Sequence, residues 1–287
     1  MNEKYITKAD VIKLDKELKM VPLTVDLMFK SVFTYDLDIL KEFLILETGL
    51  SLDPKETEIT LLNNELPKNK IKEYKKTIDI YVKLNNRINI NVELNNSSFN
   101  EYLTVRNELY TSKLFSLMFE SGDKSIDFLE KKLIQLNLNT EDLSLNYGDD
   151  IIIPYGIKTG KIYPQNRETI LKYLAYYRKM YYTFNVNLTK AELWLVVILS
   201  KNFEELYDLL DKLLTKEKKE KFLRKVIEMS KDTFILSEWE KEKMDELKEL
   251  AIIEDGRQEK QKEIVINMYK NGLTIDLIKK CVGLTEE

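Results

Sequence analysis

Histidine is absent from this chain of 287 residues, and cysteine occurs once, at Cys281. Without histidine the protein cannot use a Ser-His-Asp triad, a Cys-His pair, a histidine general base or a histidine-ligated zinc ion. A single cysteine excludes an intrachain disulfide, which favours a reducing, cytoplasmic environment. Acid-base or metal chemistry must therefore come from carboxylates, lysines, tyrosines or the one thiol.

Segments that would serve as linkers or membrane anchors are also scarce. Eight glycines and five prolines leave little room for long flexible linkers. Residues 1–20 carry charges of both signs without the apolar core of a signal peptide, and the aliphatic run at residues 193–199 is too short to span a bilayer. We therefore expect a cytoplasmic protein without a membrane partner.

The apolar pattern divides the chain into four segments. A charged helical lead-in at residues 1–21 precedes a segment of mixed helices and strands at residues 22–165, and helical patterns follow at residues 166–236 and 237–287. The last segment carries many charges of both signs, which is typical of a solvated helix or of a helix that binds a partner.

Within residues 22–165 the predicted elements follow the order α-β-β-β-α-β. The opening helical stretch begins after Thr24, which is suited to cap its N-terminus, and it ends at Gly49. The elements that follow are a strand at residues 57–63, a hairpin, a helix at residues 101–119 and a strand at residues 132–139. The predicted apolar face of the second helix includes Leu109 and Leu117.

The clearest pattern is a hairpin formed by residues 77–84 and 88–95, in both of which apolar and polar residues alternate with period two. The sequence Asn-Asn-Arg at residues 85–87 is typical of a turn. The two apolar sets share one face of the sheet if all three of these residues form the loop. That register places Asp79 directly across from Glu93 on the opposite face.

Opposed residues on paired strands have Cβ atoms about 4.5–5.5 Å apart, so Asp79 and Glu93 would repel each other unless something compensates. A raised pKa on one carboxyl group, or a divalent cation between the two groups, would compensate. Asn95 adds an amide on the same face. From spacing alone, two interpretations are open: a metal site, or a solvent-facing sheet surface that happens to be acidic.

Several segments resemble the PD-(D/E)XK nuclease family transposases, also described as recombination-promoting nucleases. Residues 26–33 resemble the family's opening Asp-x-x-Phe-Lys-x-x-Phe helix, Asp79 its metal-binding aspartate, and residues 92–95 its Glu-x-Gln strand, a variant of Glu-x-Lys. The resemblance extends to the next helix, with Phe99, Arg106 and Tyr110, and to three stretches of the tail. These are Glu254-Asp-Gly-Arg, Asn267-Met-Tyr-Lys-Asn-Gly272 and Cys281-Val-Gly-Leu284. Asn95 stands where the family has Gln and the wider superfamily has Lys.

This resemblance implies an α+β (α/β) fold with a restriction-endonuclease-like core, a mixed sheet flanked by helices, and a helical C-terminal part. It implies a metal-dependent DNA endonuclease associated with recombination, mobile elements or phage defence. Asp79, Glu93 and the Leu94 carbonyl would bind Mg²⁺, or Mn²⁺ or Ca²⁺ in its place, and Asn95 would orient the attacking water. Such chemistry uses hard oxygen ligands and needs no histidine.

The other candidate residues have two interpretations each. Asp26 is either an outer catalytic carboxylate or an acidic residue that favours a helix N-terminus. Lys30, four residues later, either pairs with Asp26 on the helix face or contacts nucleic acid. The same choice between contact with the DNA backbone and a structural or solvated role applies to the remaining candidates, Lys72, Lys75, Lys76, Arg106 and Tyr110.

Three classes of function are compatible with these observations. The first is the DNA endonuclease. The second is a nuclease-like fold without catalysis that binds DNA or protein, which Asn95 and the net charge of −4 favour. The third is a regulatory protein that forms homo-oligomers through the charged helix predicted at residues 237–263.

Overall fold

The structure is a computed structural model that describes residues 5–66, 76–96, 101–119, 130–140, 147–153, 155–162 and 166–271. The chain divides into two compact units between Ile235 and Leu236. Some of the predicted candidates lie outside the described residues, namely Lys72, Lys75, Phe99, Gly272 and Cys281.

Helices make up most of the described chain. They are α1 (Lys8–Glu17), α2 (Asp26–Phe33), α3 (Leu37–Thr48), α4 (Glu101–Leu117), α5 (Leu174–Tyr182), α6 (Lys190–Ile198), α7 (Phe203–Leu213), α8 (Lys216–Lys231) and α9 (Thr233–Lys270). None of these described helices combines the length and apolar character that a membrane span requires.

Local side-chain chemistry explains where the opening helices begin and end. The Asp36 carboxylate accepts the backbone N–H groups of Asp38 and Ile39 and so caps α3. Gly49 ends α3 with φ of +64°, a left-handed conformation that glycine adopts without a steric penalty. The predicted cap at Thr24 is wrong, because α2 begins at Asp26 after Val25 and no side chain caps it.

Six of the strands form one mixed sheet. The strands are β1 (Ile59–Leu61), β2 (Glu65–Leu66), β3 (Lys76–Thr77), β4 (Ile80–Leu84), β5 (Ile88–Asn95), β6 (Lys132–Asn139), β7 (Asp149–Ile152), β8 (Tyr155–Gly156), β9 (Lys161–Ile162) and β10 (Arg167–Tyr173). The sheet order is β1-β4-β5-β6-β10-β7; β5, β6 and β10 run parallel, and the outer pairs are antiparallel. The succession α3-β1-β4-β5-α4-β6 confirms the predicted order and the mixed α/β class.

The predicted hairpin register is confirmed. Ile80 pairs with Val92 in β4 and β5, and the loop between the strands consists of the three predicted residues. Asn85 and Asn86 have φ of 47° and 56°, in the left-handed region that asparagine tolerates better than most residues. The apolar set of the hairpin, including Ile80 and Val92, is buried on one face of the sheet.

The helical pattern predicted from residue 167 is wrong at its start, because Arg167–Tyr173 forms β10 and pairs in parallel with β6. Four consecutive residues of this strand, from Ile170 to Tyr173, are buried, so the strand lacks the alternation that marks a half-exposed strand. Helix α5 begins at the next residue, Leu174, which joins the two patterns without a loop. The sheet therefore extends into the segment that was predicted to be helical.

An aromatic cluster joins helices from the two ends of the first unit. The ring of Phe33 in α2 lies 4.7 Å from Phe29, 5.1 Å from Phe43, 5.7 Å from Phe222 and 6.0 Å from Trp194, measured between centroids. These five rings come from α2, α3, α6 and α8, and all are buried. The cluster fixes α2, which carries two of the candidate site residues.

We predict that Phe33→Ala lowers the free energy of unfolding by about 3–5 kcal/mol, because it leaves a cavity at the centre of this cluster. Chemical denaturation followed by circular dichroism measures the change. Phe184→Ala is the matched control, since Phe184 is exposed and its truncation opens no cavity. Equal losses in the two variants would contradict the central role of the cluster.

Candidate active site

Asp79 and Glu93 lie close together where the hairpin ladder begins. The paired register of β4 and β5 begins at Ile80 and Val92, and Asp79 stands at a bend just before it, near enough to Glu93 for its charge to act on that carboxyl group. The backbone N–H of Leu94 donates a hydrogen bond of 2.7 Å to Asp79 Oδ2. This bond holds the aspartate against the neighbouring strand through Oδ2, so its Oδ1 oxygen can make a different contact.

Both carboxyl groups are largely removed from solvent. Glu93 is 4% exposed, and burial together with the charge of Asp79 raises the pKa of Glu93 to about 8. Burial and the charge of Asp26 raise the pKa of Asp79 to about 6, although Lys30 and the Leu94 N–H act in the opposite direction. The site therefore disfavours two negative charges in the absence of a compensating cation.

A layer of buried polar side chains surrounds Glu93. On β5 it consists of Asn89, Asn91, Glu93 and Asn95, and on β6 of Gln135, Asn137 and Asn139; each is at most 5% exposed. The parallel register places Asn91 beside Gln135, Glu93 beside Asn137 and Asn95 beside Asn139. The interpretation of this face as a solvent-facing acidic surface is therefore wrong.

Most side chains of this layer hydrogen-bond one another. Asn91 Nδ2 donates to Gln135 Oε1 at 2.8 Å and to Glu93 Oε1 at 3.2 Å. From α4, Asn107 Nδ2 donates to Asn137 Oδ1 at 2.9 Å. The Thr111 hydroxyl donates to the Asn107 carbonyl at 2.6 Å and shares its proton with Gln135 Oε1 at 3.2 Å. Buried amides are tolerated only when they are hydrogen-bonded, so these contacts hold α4 on the sheet.

The predicted apolar face of α4 is wrong in part. Leu109 and Leu117 are exposed, whereas the buried side of the helix includes the polar residues Asn107 and Thr111. The physical reason is that α4 packs on the polar face of the sheet, so its inward side must supply hydrogen-bonding groups. Leu103, near the start of the helix, is buried, as the pattern predicts.

Asn95 has both ends of its amide engaged within the protein. Its Oδ1 accepts a hydrogen bond of 2.7 Å from Arg106 Nη2, and its Nδ2 donates to Asn139 Oδ1 at 3.0 Å. Arg106, from α4, also places its guanidinium 5.8 Å from the centroid of the Tyr110 ring. Of the two interpretations of Arg106 and Tyr110, the observed contacts are those of the structural one, with Tyr110 packed against the cluster of Ile78, Tyr81, Leu114 and Leu133.

Lys30 approaches Asp79 from the opposite side. Its Nζ lies 3.2 Å from Asp79 Oδ1 and 2.8 Å from Asp26 Oδ1, so the predicted pair with Asp26 is confirmed and a second carboxylate is added. The Lys30 side chain is 20% exposed and that of Asp26 is 48% exposed. Asp26 therefore contacts the site through Lys30.

Lys76 pairs with Leu66 through the backbone of β3, and its side chain is not among those described.

Comparison with known protein families gives one match, over the part of the chain that contains these residues. Residues 23–151 match the family model of the PD-(D/E)XK nuclease family transposase. The match spans α2, α3, the hairpin, α4 and β6, and it contains Asp79 and Glu93. No curated protein and no solved structure matches the chain.

The resemblance seen in the sequence is thus confirmed over slightly less than half of the chain. The PD-(D/E)XK match supports a nuclease- or transposase-type function, and it supports DNA as the partner. Strand β10 lies beyond the matched segment, although it completes the parallel part of the sheet next to β6. The helices that form the aromatic cluster with Phe33 also lie beyond the match, at α6 and α8.

The donors in the matched segment fit a divalent cation. No group of three or more Asp, Glu, Cys or His side chains in the described part of the chain forms a ready metal cluster. The available set is instead two carboxylates, Asp79 and Glu93, with the adjacent Leu94 carbonyl. Burial raises the pKa of both carboxyl groups, and the charge of Asp79 raises that of Glu93 further, so a cation between them would relieve the pair. Hard oxygen ligands are those that Mg²⁺ prefers.

Sequence reasoning missed the amide layer of the PD-(D/E)XK domain, although a signal was present. Residues 135, 137 and 139 of the predicted β6 are all amides with period two, which matches the period of the polar residues on β5. Asn107 and Thr111 stand four residues apart on α4, the helix between β5 and β6, which places them on one face. Two polar faces of equal period and one polar helix stripe together indicate a buried network.

The pKa of Glu93 predicts how stability depends on pH in metal-free protein. The folded state holds the Glu93 proton up to about pH 8, whereas the unfolded chain releases it near pH 4.5, so Glu93 makes stability fall as pH rises between these values. Glu93→Gln removes this loss. We expect the variant to gain stability relative to wild type as pH rises, by on the order of a few kcal/mol at pH 8.

Urea unfolding in EDTA at pH 5, 6.5 and 8 measures this difference. Glu56→Gln serves as the control because Glu56 is exposed on the surface. A stability difference between Glu93→Gln and wild type that stays constant across the three pH values would show that Glu93 ionises in the folded protein as it does in the unfolded chain.

Proposed function

We propose that the PD-(D/E)XK domain is a divalent-metal-dependent DNA endonuclease that hydrolyses phosphodiester bonds. The observation that supports this most directly is the pair of neighbouring carboxyl groups, the buried Glu93 and the largely buried Asp79, inside the segment that matches the nuclease family. The transposase description of the family supports a role in recombination or in the movement of mobile elements. A role in phage defence is the alternative.

In this proposal Asp79, Glu93 and the Leu94 carbonyl hold Mg²⁺, with Mn²⁺ or Ca²⁺ as substitutes. A bound divalent ion would supply a water of lowered pKa and would stabilise the charge that develops on the phosphate. The chain's own residues orient the ligands: the Leu94 N–H holds Asp79 Oδ2, and Asn91 holds Glu93 Oε1. Because Glu93 keeps its proton to about pH 8, cation binding at neutral pH would release that proton.

A specific observation favours the second candidate, a nuclease fold that binds DNA without cleaving it. The Asn95 amide, which the resemblance assigns to orienting water, is 3% exposed and is bonded to Arg106 and Asn139. An amide engaged in this way is a structural member of the buried layer. The two candidates differ in whether the protein breaks a phosphodiester bond.

We predict that purified protein nicks supercoiled plasmid in Mg²⁺ or Mn²⁺ and that EDTA abolishes the nicking. Asp79→Asn should lower the cleavage rate at least about 100-fold, since the amide removes the charge that would bind the cation while it can still accept the Leu94 N–H. Agarose gel assays over a time course measure both effects.

Asp38→Asn is the matched control for this experiment. Asp38 lies in the first turn of α3, where its side chain pairs with Lys41 on the surface. Its variant should cleave at the wild-type rate. DNA binding without any nicking by the wild-type protein, across both metals and a range of protein concentrations, would favour the non-catalytic binding module instead.

We also propose that the second unit mediates self-association. In α9, exposed apolar residues stand among many charges, with Met244, Ile264 and Ile266 about half exposed. Analytical ultracentrifugation of the full chain should show a mass that rises with protein concentration. The triple change of these residues to Gln should yield a monomer, and a monomeric wild-type chain at every concentration would overturn this proposal.

A further inference from the structure

The residue at position 95 cannot supply a positive charge to a substrate phosphate. Asn95 carries no charge, and its amide is bonded to Arg106 on one side and to Asn139 on the other. The nearest guanidinium, that of Arg106, is itself committed to Asn95 and lies over the Tyr110 ring. If the site acts on a phosphodiester, the positive charge beside the reacting group must come from another element.

Lys30 is placed to supply that charge. Its ammonium lies 3.2 Å from Asp79 Oδ1, on the opposite side of the aspartate from the Leu94 N–H. Asp26 holds the same ammonium at 2.8 Å. An ammonium has three N–H donors, and Lys30 Nζ contacts three oxygens, both of Asp26 at 2.8 Å and Asp79 Oδ1 at 3.2 Å. A phosphate oxygen would therefore replace one of the two Asp26 contacts.

The element that carries Lys30 is fixed in position. Phe29 and Phe33, on either side of Lys30 in the sequence, are buried in the aromatic cluster. The start of α2 is also joined to the end of β5, because Asn96 Nδ2 donates a hydrogen bond of 2.6 Å to the Thr24 carbonyl. Lys30 is therefore held beside Asp79 by the fold and does not depend on a surface loop.

We propose that Lys30 is a catalytic residue whose ammonium contacts a non-bridging oxygen of the scissile phosphate, and that Asp26 is the positioning residue that holds it. This inference rests on the proposed phosphodiester hydrolysis. In that reaction the water oxygen forms a bond to phosphorus and the bond from phosphorus to the leaving sugar oxygen breaks. One water hydrogen ends on the new sugar hydroxyl, and Lys30 stays protonated throughout and stabilises the developing charge.

The first test measures DNA binding without cleavage, in Ca²⁺, by fluorescence anisotropy of a labelled 30-base-pair duplex over a series of salt concentrations. A variant that neutralises one phosphate fewer on duplex DNA has a slope of log affinity against log salt that is smaller by about 0.9. We expect this reduction, with weaker binding, for Lys30→Met. Lys41→Met is the control: Lys41 makes a comparable helix-face pair with Asp38, and its variant should keep the wild-type slope.

The second test measures single-turnover cleavage and Mn²⁺ affinity. Lys30→Met should cleave about 100-fold more slowly, in the range found when one donor to a developing negative charge is removed. Lys30→Arg should recover part of the rate because it keeps the charge. Mn²⁺ should bind Lys30→Met at least as tightly as wild type, since the variant lacks the neighbouring positive charge, whereas Asp79→Asn should lose Mn²⁺ affinity.

The outcomes separate this inference from the proposed function. An unchanged salt slope, or cleavage by Lys30→Met at the wild-type rate while Asp79→Asn is inactive, overturns the role of Lys30 and leaves the nuclease intact. A wild-type protein that never cleaves overturns the proposed function, and the salt slope still decides whether Lys30 contacts phosphate. Absence of DNA binding overturns both. If Lys30→Met fails to fold, Asp26→Asn/Lys30→Met removes one carboxylate together with the lysine and carries the same test.

Discussion

Mutual hydrogen bonding of buried side-chain amides is the constraint on which the rest of the site depends. Asn91, Gln135 and Asn137 lie on the inner strands under α4, and each is withdrawn from water when the helix packs on the sheet. A buried amide without a partner costs about 1–3 kcal/mol, so a shift of α4 or a slip of β6 against β5 would leave several such groups unpaired at once. The layer therefore selects one register and one helix position, and Glu93 lies within it.

The same constraint restricts what Asn95 can do. Its amide is hydrogen-bonded to Asn139 and Arg106, and these bonds stabilise the end of β5. The same amide is therefore not available to contact a substrate. Positive charge enters the site from α2 instead, through Lys30. The position of α2 depends in turn on packing far from the carboxylates, where Phe33 contacts rings from helices near the C-terminal side of the first unit. The site thus requires parts of the chain beyond the segment that matches the nuclease family.

The hairpin could be predicted from the sequence because alternation and loop length leave one register, and that register determines which residues oppose each other. It therefore placed Asp79 across from Glu93 without any knowledge of the rest of the chain. Burial of the polar face does not follow from the hairpin alone, because a strand lined with Asn is compatible with solvent. It follows only when the amides of β6 and the polar stripe of α4 are considered together with β5. Strand β10 was missed for a related reason: a strand buried on both faces has no alternation, and Leu174 continues directly into a helix.

The carboxyl pair shows why a fold would retain an unfavourable arrangement. Buried next to Asp79, Glu93 has its pKa raised to about 8, so the folded protein gives up stability at neutral pH to keep the pair together. The amide layer adds to that cost, because within the described residues the buried Asn91 Oδ1, Asn137 Nδ2 and Asn139 Nδ2 have no hydrogen-bond partner. Proteins concentrate such costs at functional sites, where a bound group or a reaction makes use of them. The aromatic cluster and the ordinary apolar face of the sheet offset them elsewhere, which allows a site that is unfavourable by itself to persist in a stable fold.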